Sequence, residues 1–300
     1  MRRALLVFTL LIGRTASARA QHAPAMVTDT VTITQRVLVG GDVTPAEAKR
    51  QALDKALAEA VRRVSGVRVQ STQLGVDEDR NGHTHESFVS VVQVDAAGRA
   101  TDYQLIDERF ASERHPVLGA QLYYELRALV TVALERGNRD PGFGVSVSLN
   151  DALFFDGGGG VERNDEVIAT ISASRDAWLT VFSVTGDSAQ LLLPNAIMTE
   201  RRVRAGMPVE LPSRDWRDRG VHFRASLAGA ERARRELIVA VATRSELAFP
   251  VPSGDGVGTS FPLLAIQRWL VMIPLEQRAI AFAPYEVRRR DPSPQGKPPD

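Results

Sequence analysis

The chain contains one long helix-forming segment, whereas most of its other apolar residues alternate as in β-strands. This combination limits the possible fold classes more than any other feature of the sequence. The segment over residues 44–66 begins with Thr44 and Pro45 and carries Glu47 at the third helical position, a full set of helix start signals. Alanine, leucine and valine then recur at three- and four-residue spacing as far as Ser65, which Gly66 follows. Because this stripe is rich in small alanines, we expect a helix packed closely on a sheet.

Strands predicted on both sides of this helix complete an α+β module over residues 21–136. An alternating segment over 31–39 precedes the helix, and strand-like segments near 100–110 and 122–134 follow it. The connection between them contains a polar loop and a short helix expected around 87–94. This order is typical of one long helix laid on an antiparallel sheet.

The order of these segments resembles two families of envelope proteins. Residues of this half are similar to the N-terminal module of flagellar assembly protein T and to the small α+β module of related outer-membrane lipoproteins. The resemblance is carried by a strand, the helix GDVTPAEAKRQALDKALAEAVRRVSG, and the segments ATDYQLIDERF and YYELRALVTVAL, in this order. The resemblance covers about residues 30–135 and implies a role in the cell envelope. Those lipoproteins carry a cysteine at the cleavage site and this chain contains no cysteine, so the resemblance does not extend to a lipid anchor.

The rest of the chain predicts a mainly-β, sandwich-like C-terminal domain over residues 145–287. Glycine, proline and charged residues over 137–144 are interpreted as a linker. Apolar segments then recur at a spacing of roughly 8 to 12 residues, which favours a sandwich. A helix over 262–273, a last strand over 279–287 and a disordered, proline-rich tail over 288–300 are expected to follow. The apolar segments lie at 144–149, 166–173, 177–184, 189–193, 203–211 and 237–243.

This second half also resembles a known family. The block SRDAWLTVFSVTGDSAQLLLPN, followed by RVRAGMPVELPS and ELIVAVATRSE, is similar in order and content to the bacterial domain of unknown function 4384. The resemblance covers about residues 145–287. Because that family has no established activity, it implies a fold and supplies no chemistry.

The first twenty residues have the features of a secretory signal peptide. Arg2 and Arg3 precede a short apolar run, and Ala18-Arg19-Ala20 forms a cleavage site. Removal of residues 1–20, which hold four arginines and no acid, changes the formal net charge from +1 to −3, so nucleic acid loses its electrostatic attraction. The apolar run is far shorter than the roughly 20 residues that cross a bilayer. We expect a periplasmic or secreted protein without a transmembrane segment or a lipid anchor.

No residue pattern in the chain predicts a reaction, and we expect neither catalytic residues nor a cofactor. The serine-hydrolase motif G-x-S-x-G and both glycine-rich nucleotide-binding motifs are missing from the sequence. His83 and His85, followed by Glu86, are the one close histidine pair and lack a third ligand nearby in sequence. A solvated loop is therefore favoured there over a weak metal site.

Three polar, glycine-containing loops are the predicted binding surfaces. The acids around the glycine-rich loop at 156–160 would suit Ca²⁺, but they lack the fixed calcium-loop motif. The sequence predicts a non-catalytic, exported envelope protein that binds another envelope protein or a cell-wall component. A cell-wall hydrolase with an unrecognised site and a small-ligand or metal-binding module are the alternatives. The candidate binding residues are Asp77, Asp79, Glu86, Asp156, Glu162, Asp165 and Asp255.

Overall fold

The computed structural model describes most of the chain and shows a mainly-β protein with several sheets, as predicted. The predicted signal peptide, the loop and short helix predicted after the long helix, and the last ten residues of the predicted tail lie outside the described residues. The described residues are 27–41, 43–65, 98–117, 119–158, 160–250 and 260–290.

The first layer is a long helix, α1 (Pro45–Ser65), packed on a three-stranded antiparallel sheet. The helix begins where the sequence predicts, because the backbone N–H of Glu47 donates to Oγ1 of Thr44 at 3.2 Å. The strand that comes last along the chain lies in the middle of the sheet. The three strands are β1 (Thr28–Val39), β2 (Gly98–His115) and β3 (Gly119–Leu134).

Alanine forms the contact between α1 and this sheet. Ala48, Ala52, Ala56 and Ala60 recur every fourth residue and are completely buried. They pack with the larger apolar side chains that β1 and β3 direct to the same side, such as Ile33. Small side chains let the helix approach the sheet closely, which confirms the packing expected from the sequence.

Two sheets face each other in the second half of the chain. A three-stranded sheet, in the order β10-β6-β4, packs through a shared apolar core against a seven-stranded sheet. The small sheet contains β4 (Val145–Leu149), β6 (Ala169–Ala173) and β10 (Val209–Leu211). The large sheet contains β5 (Leu153–Asp156), β7 (Ala177–Thr185), β8 (Ser188–Leu193), β9 (Arg202–Val203), β11 (Ala233–Thr243), β12 (Ser260–Pro262) and β13 (Arg278–Arg289).

The large sheet is buried on both faces, and its strand β11 shows how. Ile238 and Ala240 of β11 join the core shared with the small sheet, whereas Val239 and Val241 pack on the opposite face. That opposite face is covered by the helix α3 (Leu263–Met272) and by a cluster of aromatic rings. Among the described residues, the remaining helical segments are α2 (Arg214–Asp218) and two 3₁₀ turns, Val161–Arg163 and Leu275–Gln277.

Two elements of the second half differ from the sequence-based expectation. The predicted strand over 203–211 is divided between β9 and β10, which belong to different sheets, because the chain turns at Gly206 with a φ of 69°. The strand β5 was not predicted, and it pairs in parallel with β13 at the edge of the large sheet. The strand β13 itself extends to Arg289, inside the segment predicted as tail.

The predicted arrangement of two separate domains does not fit the structure. Leu264 of α3 packs against the core between α1 and its sheet. Arg268 of α3 donates to the carbonyl oxygen of Thr101 on β2 at 2.5 Å. The predicted linker is also packed, since Phe143 is buried in the core of the second half and Asp140 pairs with Arg244. The two halves therefore meet through side chains as well as through the chain itself.

A buried ionic cluster lies where the halves meet. Glu135, directly after β3, accepts hydrogen bonds from Arg99 of β2 and Arg278 of β13 through one carboxylate oxygen. The side chains of these three residues are 2–5% exposed. Gln267 of α3 accepts a further hydrogen bond from Arg99 at 2.9 Å. Burial lowers the pKa of Arg278 to about 10, so this guanidinium is still charged at neutral pH.

The packing of α1 predicts the effect of placing a charge on its buried face. Leu57→Asp should lower the free energy of unfolding by several kcal/mol, because the site is 6% exposed and Arg50, which lines the same cavity, is already bonded to Glu47. Lys55→Asp places the same side chain on the exposed side of α1 and should cost less than about 1 kcal/mol. Urea denaturation of both variants tests this expectation, and equal losses would show that the helix face is wrongly assigned.

The buried ionic cluster predicts that losing its carboxylate costs more stability than losing a carboxylate from an exposed ion pair. Glu135→Gln removes the one carboxylate that Arg99 and Arg278 share and should cost about 3–5 kcal/mol, because it leaves buried positive charge uncompensated. Glu113→Gln removes the partner of Arg36 in an exposed pair and should cost at most about 1 kcal/mol. Denaturant unfolding at neutral pH compares the two, and a Glu135→Gln variant as stable as Glu113→Gln would contradict the role given to the cluster.

Candidate functional site

A cavity of about 90 Å³ lies where α1, β2, the turn between β7 and β8, and α3 come together. Its walls come from segments far apart along the chain, so it exists only because the two halves pack on each other. The lining residues are Arg50, Leu53, Asp54 and Leu57 of α1, Tyr103 of β2, Gly186 and Asp187 of the turn, and Pro262, Leu263 and Leu264 at the start of α3.

Local structure explains why these side chains meet. Arg50 and Asp54 are separated by four residues on α1, so they lie on one side of the helix, at the margin of the alanine stripe. Tyr103 pairs with the buried Val130 across the sheet and therefore lies on the side that α1 covers. Asp187 follows a glycine with a φ of 61°, and its carbonyl oxygen accepts the backbone N–H of Leu263 at 2.8 Å. The turn is thereby tied to α3.

Asp54 is the most strongly perturbed acid in the cavity. Burial is the main reason that the pKa of its carboxyl rises from 3.8 to about 6; Arg50 opposes the rise, and Glu47 and Asp187 contribute to it. Arg50 is itself bonded to Glu47, so its charge is already shared with another carboxylate. Within the part of the chain that the structure describes, no hydrogen bond or ion pair reaches the Asp54 carboxyl. Asp54 is thus a largely buried acid whose charge is poorly compensated.

A stripe of exposed apolar side chains continues along β2 beyond the cavity. Tyr103, Leu105 and Phe110 lie on the side of the sheet that α1 covers, but α1 packs mainly on β1 and β3. Ile106 occupies an irregularity in the pairing of β2 with β3. These four residues, which we call the β2 stripe, are 36–51% exposed. Large apolar side chains on an edge strand are unusual unless another surface covers them.

Two of the acids predicted as binding residues serve the structure of their own loop. Asp156 accepts hydrogen bonds from the backbone N–H groups of Leu227 and Gly158, and these bonds lower the pKa of its carboxyl. Asp165 accepts from the backbone of Phe155 at 2.8 Å and from Arg290 at 3.2 Å. The structure therefore brings both acids to the end of β5, where they hold the loop together.

The other predicted site residues have different outcomes. Glu162 is exposed on a 3₁₀ turn. Among the residues that the structure describes, no group of three or more histidine, cysteine, aspartate or glutamate side chains is arranged to hold a metal ion. The remaining candidates lie outside the described residues; they are Asp77, Asp79, His83, His85, Glu86 and Asp255.

The sequence gives little indication of the cavity. The one local indication of the cavity is the position of Arg50 and Asp54 beside the apolar stripe of the helix. This indication is weak, because charged residues are common there on any surface helix. Asp187 follows a glycine in a short turn, and Tyr103 lies in a strand of mixed polarity. Nothing in the sequence indicates that these residues share a surface, because their proximity depends on how the two halves pack.

Comparison with known proteins does not identify the chain. No protein-family model matches it, and no curated protein matches it with significant sequence similarity. The resemblances drawn from the sequence therefore stay predictions. Within the described ranges, no helix is both long and apolar enough to span a membrane.

The environment of Asp54 predicts a pH-dependent stability. Its folded-state pKa of about 6 lies above the ordinary value of 3.8, so its ionised form opposes folding above pH 6 and this penalty disappears toward pH 4. Asp54→Asn should therefore raise the free energy of unfolding at pH 8, by up to about 3 kcal/mol. The gain should shrink as the pH falls through 6 and vanish near pH 4 in urea titrations.

Glu59 on the same helix provides a control of opposite sign. Hydrogen bonds from Arg62 and Arg63 lower the pKa of the Glu59 carboxyl, so its ionised form favours folding and this contribution is lost as the pH falls. Glu59→Gln should lower the stability at pH 8 and leave it unchanged at low pH. If Asp54→Asn behaves in the same way as Glu59→Gln, Asp54 does not occupy the environment described.

Proposed function

We propose that this protein is a non-catalytic, exported module of the bacterial cell envelope, and that it acts by binding another envelope protein. The observation that carries the proposal is the β2 stripe, in which apolar side chains of an edge strand are exposed over much of its length. Apolar patches on exposed edges are typical of surfaces that bind a partner. Export is supported by the signal-peptide features of residues 1–20, and the envelope by the two family resemblances.

The backbone of β2 favours an extended partner segment. In the described residues, β2 pairs with β3 on one side only, and its other edge carries backbone donors and acceptors. Arg268 of α3 binds Thr101 and Asp102, so α3 covers only the start of this edge. A strand added from Tyr103 onward would gain main-chain hydrogen bonds.

The side chains of β2 indicate what that segment would look like. The side of β2 that carries the stripe is mostly apolar and holds one acid, Glu108, whose charge is paired with Lys49 of α1. Residues on the opposite side are polar or charged, such as Asp107 and Arg109. Arg109 binds Glu125 of the neighbouring strand at 2.8 Å, so this polar side is already paired within the sheet. We therefore expect a partner segment with apolar residues at alternate positions.

Site-specific photo-crosslinking in the native envelope tests the proposal. A photoreactive residue at Ile106 or at Phe110 should produce the same discrete adduct, because both positions face the expected partner. The same group at Thr34, which is exposed on the opposite side of the sheet, serves as the matched control and should not produce it. Synthetic peptides from the captured protein should then bind the purified chain, and Phe110→Asn should weaken that binding at least tenfold.

Two results would contradict the proposal. One is an adduct that forms equally well from Thr34, or no adduct from either position on β2. The other is turnover of a peptidoglycan or ester substrate by the purified protein, if single carboxylate or serine substitutions remove the turnover without unfolding the chain. The second result would favour the hydrolase alternative.

A further inference from the structure

We infer that the cavity between α1, β2, the β7–β8 turn and α3 binds a primary alkylammonium group, such as the charged end of a small aliphatic amine. This inference goes beyond the proposed function and requires no envelope partner. It rests on the size, the charge and the apolar walls of the cavity.

The charges around the cavity favour a cation. Among the described residues, three carboxylates lie in or beside the cavity, those of Glu47, Asp54 and Asp187, and one guanidinium, that of Arg50. Arg50 is bonded to Glu47, which leaves the other two acids to set the sign of the field inside. Tyr103 is the one other titratable side chain that the described residues contribute to the lining, and the described residues of α3 contribute none. A ligand that enters would meet a net negative charge.

The walls favour a cation that carries a short hydrocarbon chain. Leu53 and Leu57 of α1 face Leu263 and Leu264 of α3 across the cavity, so its sides are apolar. The ring of Tyr103 adds an aromatic face, which attracts alkylammonium ions. A bare divalent metal ion fits less well, because it needs about six oxygen ligands. In the described part of the chain, no three histidine, cysteine, aspartate or glutamate side chains are arranged to hold a metal ion.

The size and the hydrogen bonding of the cavity agree with a small amine. A volume of about 90 Å³ holds about three water molecules, or an ammonium group with a few carbon atoms. Asp54 has no hydrogen-bond donor among the described residues, and an ammonium N–H would supply one. Asp187 lies exposed at the rim of the cavity. The hydrogen bond that its carbonyl accepts from Leu263 holds the turn in place in the free protein, so binding does not have to order it.

Binding should depend on pH, because only the ionised Asp54 attracts the ammonium group. The pKa of Asp54, about 6, means that most of this carboxyl is ionised at pH 7.5 and about a tenth at pH 5. A simple amine stays charged over this whole range. The affinity should therefore fall by up to about tenfold between pH 7.5 and pH 5.

Calorimetric titration of the purified full chain with n-butylammonium chloride tests the inference. We expect saturable binding of butylammonium, and no binding of butan-1-ol, which has a similar shape and no charge. Asp54→Asn and Asp187→Asn should each weaken butylammonium binding at pH 7.5, Asp54→Asn by at least tenfold. Glu59→Gln, on the same helix but outside the cavity lining, should leave the affinity unchanged. Thermal unfolding confirms that each variant is folded.

A second ligand identifies the natural source of the ammonium group, and several results would overturn the inference. Nα-acetyl-lysine N-methylamide carries the same ammonium group, and comparison of its affinity with that of butylammonium distinguishes a lysine side chain from a free amine as the natural source. Equal binding of butanol, tighter binding of Mg²⁺ than of butylammonium, or unchanged affinity in Asp54→Asn would each overturn the inference. So would the absence of any saturable binding at pH 7.5. If Asp54→Asn fails to fold, Asp187→Asn and the pH profile decide the question.

Discussion

The hydrogen bonds that Glu135 accepts from Arg99 and Arg278 are the interaction on which the rest of the structure depends. They join the end of β3 to β2 and β13, in a place where each charge is costly unless the others are present. Arg278 also donates to the last carbonyls of α3, at Leu270 and Ile273, and so holds the C-terminal end of that helix. The position of α3 against β2 follows from this cluster, and the cavity follows from the position of α3.

The partly covered strand β2 and the cavity both follow from the way in which α1 packs on its sheet. A helix is about 10 Å wide and neighbouring strands lie about 4.8 Å apart, so α1 cannot cover the full width of three strands and part of β2 stays outside its contact. The residues on the flank of the alanine stripe, including Arg50 and Asp54, then face α3 and the β7–β8 turn. The half-covered β2 and the charged flank of α1 are therefore adjacent, and the two proposed binding surfaces meet at Tyr103.

The sequence predicts elements better than it predicts their arrangement. The start of α1 at Thr44 and Pro45 and the presence of β7 and β11 follow from capping residues and apolar periodicity, which act over a few neighbouring positions. The parallel strand β5 has too short a pattern to be recognised, and its pairing with β13 joins segments far apart in the chain. Asp156, expected at a ligand surface, instead binds the backbone of Leu227, which no local pattern indicates.

By itself, the sequence determines that the chain contains one long amphipathic helix and many strands, because helix capping and side-chain alternation are local properties. It also determines the charges and apolar groups that are available, including Asp54 on the margin of α1. Only the tertiary structure decides that the halves share the buried Glu135 cluster, that β2 is left half-covered, and that Asp54 meets Asp187. These outcomes depend on contacts between residues distant in sequence, and such contacts form only when the burial of apolar surface brings the segments together.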